Sequence, residues 1–399
     1  GLHSVEKQKT QRVGYTATCA NKQYEYDHCQ DEGLYFDKAF YERKMSILQV
    51  IYEKYASYFR NVAGPAVLEI FGEEPFHPVS KPECVVLSKK QQKWMVDFKN
   101  EKNQLAERYN PSKETSFTII AFPTPEIGEH FEEIFQETIR INTLDCSVYQ
   151  NVQQYLIDVL DACDFVQITG TNGNRTNLIV NLTELNDKNR ETRFENCLAD
   201  VNIPLGEVFT SPKLAGTNGI LHVKEVFLRG LKFVDLEIQF QDGCISAYSC
   251  KNFETEKENA NYIKQHVMQG HETLPLGEFA IGTNTVAYAM AKKYGILQKL
   301  PILIVEKMGP HFAVGDTCYS WEEEVLVWNP DGKEVIAKEN AFSQLRKTEV
   351  EKAYFNCHTD ITIPYEEIGE IACCQKEGGK VVLLSDGKFV LPGTELLNI

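Results

Sequence analysis

The sequence predicts an α/β N-terminal domain over residues 1–190, followed by an α+β C-terminal domain over residues 195–399 with a mixed or antiparallel sheet. Three observations carry this. Apolar runs alternate with a long helical stretch between residues 117 and 182, as in a parallel α/β layer. Val234 to Phe240 alternates strictly and meets the turn pair Asp242-Gly243, as in an antiparallel hairpin with one wet face. A chain of 399 residues is also long enough for two domains, at about 100–200 residues each.

Taken in order, the first 115 or so residues read as helical. Leu48, Ile51, Tyr52, Tyr55 and Phe59 recur at helical spacing, which predicts an amphipathic helix within 36–59. A charged helix over 89–109 ends at Asn110-Pro111, because proline disfavours helix in the residue before it. Residues 109–116 are a loop or linker. The run 117–122, a helical stretch over 127–162 and the runs 165–169 and 178–182 then make up the expected parallel layer. Beyond residue 195, the hairpin over 234–249 is joined by turn signals at 329–332 and 385–387 and by helices over 254–269 and 285–295. The apolar run Pro301 to Val305 reads as a buried strand with Glu306 at its exit.

Composition narrows the function. With 41 Lys and Arg against 57 Asp and Glu, the net charge of −16 repels nucleic-acid phosphates and anionic lipid, so neither nucleic acid nor a membrane is an expected partner. The longest apolar runs fall far short of the roughly 20 residues that span a bilayer. Gly1 to Lys7 has no apolar leader core, and the twelve cysteines contain no C-x-x-C pair. A reduced, cytoplasmic protein is expected. Cys373-Cys374 reads as a pair of buried thiols, and Cys357-His358 is a weak signal for a nucleophile–base pair, because neighbours on a strand point to opposite faces. Phosphate-binding glycine loops, H-E-x-x-H and G-x-S-x-G are all lacking.

One constellation carries chemistry. In His358-Thr359-Asp360 the imidazole and carboxylate leave the same face of an extended strand and can converge on one ion. Glu306 and His311 lie five residues apart after an apolar run, while Glu207 and Glu278 each follow a glycine among apolar residues. Buried carboxylates need metal or cationic partners, and no Arg or Lys cluster in the sequence competes for these.

Pro204 to Pro212, Leu276 to Gly282, Glu306 to Gly315 and His358-Thr359-Asp360 together resemble the M29 family of metalloaminopeptidases, the aminopeptidase T and aminopeptidase S group. The resemblance is clear over roughly residues 160–399 and faint over the first 115. It implies a pair of divalent ions, Zn²⁺, Co²⁺ or Mn²⁺, held by Glu207, Glu278, His311, His358 and Asp360. It also implies Glu306 as general base and Tyr319 as stabiliser of the tetrahedral intermediate. The interval from His311 to Tyr319 is one residue longer than the family's, and Pro310 stands where a small or polar residue is usual.

Mixed carboxylate and imidazole ligands suit these ions, which lower the pKa of a shared water towards neutrality. The expected activity is metal-dependent release of N-terminal residues from short peptides, by a homodimer whose sites face an enclosed cavity. The alternatives are an M29-like protein acting on another amide, or a peptide-binding protein without turnover.

Overall fold

The computed structural model describes residues 21–398 apart from Ser80, Pro82 and Asp200. The leader reading of Gly1 to Lys7 lies outside the described residues.

The architecture is mixed α/β and dominated by antiparallel sheets. An eight-stranded sheet runs in the order Cys244–Ser249, Leu231–Gln241, Lys213–Leu228, Asn177–Asn181, Phe165–Gly170, Ile368–Cys374, Lys380–Ser385 and Lys388–Phe389, antiparallel throughout. A five-stranded antiparallel sheet follows the order His358–Thr362, Pro310–Gly315, Leu276–Gly282, Glu207–Thr210 and Glu195–Cys197. Parallel pairing joins Ala66–Phe71, Thr118–Pro123 and Asn202–Ile203.

One expectation is corrected by this topology. The strands over 165–170 and 177–181 pair antiparallel with each other and do not share a parallel layer with Thr118–Pro123. They sit inside the eight-stranded sheet between segments 213–228 and 368–374, so that sheet draws strands from both sides of the boundary expected at 190–195. The six-residue link between them lets the chain return directly, with tight bonds from Gly170 N–H to the Thr176 carbonyl (2.8 Å) and from Asn174 N–H to the Thr171 carbonyl (2.9 Å). A parallel pair needs a longer crossover.

The helices follow their local signals. Lys89–Tyr109 starts at a Ser88 capping box with Gln91 and stops at Asn110. The expected helical stretch over 127–162 divides into Phe131–Asn142 and Cys146–Leu160, with Asp145 capping the second. Pro301 to Val305 is a second correction: Ile302–Val305 is a helical turn that runs into a 3-10 turn over Glu306–Met308. The Pro301 carbonyl accepts from the N–H groups of Ile304 and Val305 (both 3.1 Å), and Leu303 and Ile304 bury against Ala287, Met290 and Ala291 of the helix Thr285–Tyr294. A four-residue apolar run fits a buried helix as well as a buried strand; tertiary packing decides.

The main core lies between the two large sheets and the helix Cys146–Leu160. Leu156, Ile157 and Leu160 meet Val166, Ile168, Phe279 and Phe312, all fully buried, and the last two rings stack at 5.4 Å. No described helix is long and apolar enough to cross a membrane, and no disulfide forms among the described cysteines.

Candidate metal centre

Strand alternation sorts the five-stranded sheet into an apolar face and a charged one. Phe279, Ile281, Phe312, Val314 and Ile361 enter the main core. Glu278, Ala280, His311, Ala313, His358 and Asp360 therefore share the opposite face. The register sets Glu278 beside Ala313, Ala313 beside Asp360, Gly315 beside His358 and Gly282 beside Glu207. Ala280, Ala313 and Gly315 keep the floor between the ligand-type side chains low. Gly315 has φ +116°, and a Cβ there would stand 2.1 Å from the Cys357 carbonyl oxygen, so no side chain fits.

This face gathers all five expected ligands. Glu207, Glu278 and His311 offer ligand atoms within 4.8 Å of one another, and a second group of the same tightness comprises Glu278, Cys318 and His358. Glu278 belongs to both. His311 Nε2 is 3.4 Å from Glu207 Oε2 and 3.5 Å from Glu278 Oε1. His358 Nε2 is 3.1 Å from Glu278 Oε2 and 3.2 Å from Asp360 Oδ1.

The surrounding backbone orients both imidazoles. His311 Nδ1 lies 3.3 Å from the Gly309 carbonyl and His358 Nδ1 2.7 Å from the Asp316 carbonyl. A carbonyl only accepts, so each Nδ1 carries the proton it donates, and each Nε2 faces the carboxylates. Metal-binding histidines are held in this way. Glu207 Oε2 and Asp360 Oδ1 accept no hydrogen bond although both are buried. Buried carboxylate oxygens call for cationic partners, and this cluster of carboxylates and imidazoles is a donor set that fits divalent ions.

No Arg or Lys cluster is expected to compete for these carboxylates, but a single cation is built into the chain here. Lys307, with no exposed surface, bonds Glu207 Oε1 and stands 3.0 Å from Glu306 Oε1. Burial works against its charge, but Glu207 and Glu306 overcome that and hold its pKa well above the ordinary lysine value. Glu306 is pushed up to about 7, chiefly by burial, with Lys307 acting in the opposite direction and the charges of Glu207 and Asp360 adding to the rise. His311 is raised to about 9: burial opposes its charge, and Glu278, Glu207 and Asp360 more than compensate. Burial tends to raise Glu278, yet its bonds to His311 and His358 hold it well below the usual carboxylate range.

A cavity of about 950 Å³ opens onto this face, lined among others by Glu207, Glu278, Glu306, Cys318, Tyr319 and His358. A smaller one, about 400 Å³, reaches His358 and Asp360 between Glu69–Phe76 and Gln298–Ile302.

Tyr319 lines the larger cavity, but its hydroxyl donates to Glu195, and its ring rests on Phe209 with centroids 5.7 Å apart. A phenol has one proton to give, so the oxyanion role expected of Tyr319 meets a hydroxyl that is already engaged. Three residues at the site escaped the sequence: Lys307, Cys318 and Glu195. The available signals were the adjacency of Lys307 to Glu306 and the one-residue excess before Tyr319, which brings Cys318 into the expected position.

The family model described as thermophilic metalloprotease (M29) matches residues 15–323, most of the chain, beginning well before the region of clear resemblance and ending before His358 and Asp360. Among solved structures, wild-type AmpT from Thermus thermophilus is similar in fold, with 17% identity, TM-score 0.52, and coverage of 91% of this chain and 84% of that one. The 2,5-dihydroxypyridine dioxygenase from Pseudomonas putida KT2440 matches more loosely, with 12% identity, TM-score 0.39, and coverage of 88% of this chain and 99% of that one. No curated protein matches the sequence.

Proposed function

This chain belongs to the M29 family of thermophilic metalloproteases, and from that premise we propose that it is an aminopeptidase that removes N-terminal residues from short peptides at a two-ion centre. The observation that carries the proposal is Glu278, whose carboxylate belongs to two ligand groups at once: Glu207 and His311 on one side, His358 on the other. Asp360 completes the second group beside His358. A carboxylate shared between two groups is how a two-ion site is held together.

Bound there, Zn²⁺, Co²⁺ or Mn²⁺ would supply a water acidic enough to attack at neutral pH and polarise the scissile carbonyl. The protein does the rest. Glu306 takes no part in either ligand group, faces the cavity, and is held near pH 7, where a carboxylate can accept a proton and return it to the leaving amine. Lys307 fixes one oxygen of Glu207 and leaves the other turned to the cluster. Tyr319 positions Glu195 on the cavity wall. The excess of carboxylates favours a free, protonated α-amine, and a cavity of about 950 Å³ suits a short peptide. We take the enzyme to be a cytoplasmic homodimer whose cavities face an enclosed space.

The test is release of amino acids from short peptides, free or N-acetylated, by chelated protein before and after Zn²⁺, Co²⁺ or Mn²⁺ is added. Metal-restored cleavage confined to free N-termini is expected. Cleavage of blocked peptides, or metal binding without any cleavage, would overturn the aminopeptidase reading in favour of another amide or a binding role.

A further inference from the structure

Among the described residues, Cys318 belongs to one of the two ligand groups at this centre, yet neither the family resemblance nor the proposed mechanism uses it. Its Sγ lies within 4.8 Å of ligand atoms of both Glu278 and His358. The thiol is exposed to solvent and lines the larger cavity.

Its position is built. The strand Pro310–Gly315 ends at Gly315, and the following turn is tied on both sides. The Asp316 carboxylate accepts from the N–H groups of Phe355 (2.7 Å) and Asn356 (2.6 Å), while Asp316 N–H donates to the Cys357 carbonyl (2.8 Å). Thr317 Oγ1 donates to the Lys338 carbonyl (3.2 Å), and Ser320 N–H to the Thr317 carbonyl (3.1 Å). The Asp316 carbonyl is the same group that orients His358 (2.7 Å), so one turn presents both the thiol and the imidazole. A second observation points the same way: Asp360, with a tenth of its side chain exposed, has Oδ1 beside His358 Nε2 and accepts no hydrogen bond.

We propose that Cys318 is a thiolate ligand of the ion held by His358, Glu278 and Asp360, so that the two halves of the centre differ in chemistry. The inference rests on the two-ion reading above. The half formed by Glu207, Glu278 and His311 offers oxygen and nitrogen only and lies against Lys307. The half at Cys318 adds sulfur. Thiolate favours Zn²⁺ or Co²⁺ over Mn²⁺ or Mg²⁺, so this half selects the softer ion. On binding, the S–H bond breaks, its proton leaves to solvent, and an S–metal bond forms without change of oxidation state.

Cys357, adjacent to His358, packs in the main core and belongs to neither ligand group among the described residues.

The test loads the chelated full-length protein with Co²⁺. An intense near-ultraviolet sulfur-to-cobalt charge-transfer band is expected for the unmodified protein and for Cys244→Ser, which lines neither cavity. It should be absent in Cys318→Ser and Cys318→Ala, with one Co²⁺ per chain retained by metal analysis. Zn²⁺ affinity of the weaker-binding half should fall at least about tenfold in these variants, since loss even of a group outside the ligand sphere costs about 10–100-fold. By peptide mass mapping, iodoacetamide should label Cys318 in the chelated protein and not in the Zn²⁺-loaded one. Bound Co²⁺ with no such band, or a band that survives both Cys318 variants, would overturn the proposal and leave the aminopeptidase reading standing. Failure of the folded protein to bind Co²⁺ or Zn²⁺ at all would overturn both. Circular dichroism of the two variants separates ligand loss from misfolding.

Discussion

Lys307 and Glu207 form an ion pair sealed inside the protein: the ammonium holds Oε1 of the carboxylate, and Oε2 accepts no hydrogen bond. One glutamate is thereby divided between the Lys307 ammonium on one oxygen and the His311 imidazole, 3.4 Å away, on the other. The same lysine reaches Glu306 at 3.0 Å, so a single residue sets both a candidate ligand and the candidate base.

Lys307→Met should therefore act twice. Removing one partner of a buried pair leaves its carboxylates uncompensated, at a cost of about 3–5 kcal/mol in chelated protein, read by urea unfolding. Loss of the positive neighbour also favours protonated Glu306, so the acid limb of the kcat/KM profile should move to higher pH. An unmoved limb would separate Glu306 from the rate.

Glu306→Gln should lower kcat by about 10²–10⁴ while metal content is unchanged. The acid limb, expected near pH 7 from the raised Glu306, should vanish with it. A normal rate in this variant would remove Glu306 from the role of base.

Tyr319→Phe should change kcat by less than about tenfold, because its hydroxyl is engaged by Glu195. Removal of an oxyanion donor costs about 10²–10³, so a loss of that size would mean that the phenol turns to the substrate during reaction.

The chelated protein should lose stability as pH rises from about 6.5 to about 9. His311 is held near 9 in the folded protein against 6.5 for an ordinary histidine. Its contribution is thus fully present below 6.5 and is lost as pH climbs through 9, with a slope of up to about 1.4 kcal/mol per pH unit. Thermal unfolding against pH reads this directly. Saturating Zn²⁺ should flatten the curve, because the ion replaces the proton, and His311→Gln should remove the slope.

Ala313→Val should abolish metal binding in a chain that still folds. Ala313 lies between Glu278 and Asp360 in the register and has no exposed surface. Two added methyl groups there cost about 1–3 kcal/mol in overpacking and raise the floor on which the ligand atoms converge. Metal content by mass spectrometry and unfolding by urea separate the two effects.

Much of the local structure was legible because local chemistry decided it. The helix Lys89–Tyr109 occupies the expected span, bounded by the Ser88 box and Asn110-Pro111. The hairpin over 231–249 turns at Asp242 and Gly243, both at positive φ as a primed turn requires. The spacing His358-Thr359-Asp360 places both side chains on one face for the same reason, the period of two along a strand. Sheet partnership was not legible. Runs 165–169 and 178–182 look the same whether they pair with each other or with Thr118–Pro123, since a short apolar run carries no mark of strand direction.

By itself the sequence determined the family, the ligand-type residues and their alternation along each strand, because these depend on residue identity and on short-range geometry. Only the tertiary structure decided that Pro301 to Val305 is a helical turn, that Lys307 is sealed between Glu207 and Glu306, and that Cys318 meets the cluster while Tyr319 turns to Glu195. Each of these depends on segments distant in the chain. Which side chains share a buried space, and which charges must then be paired, is set by that packing.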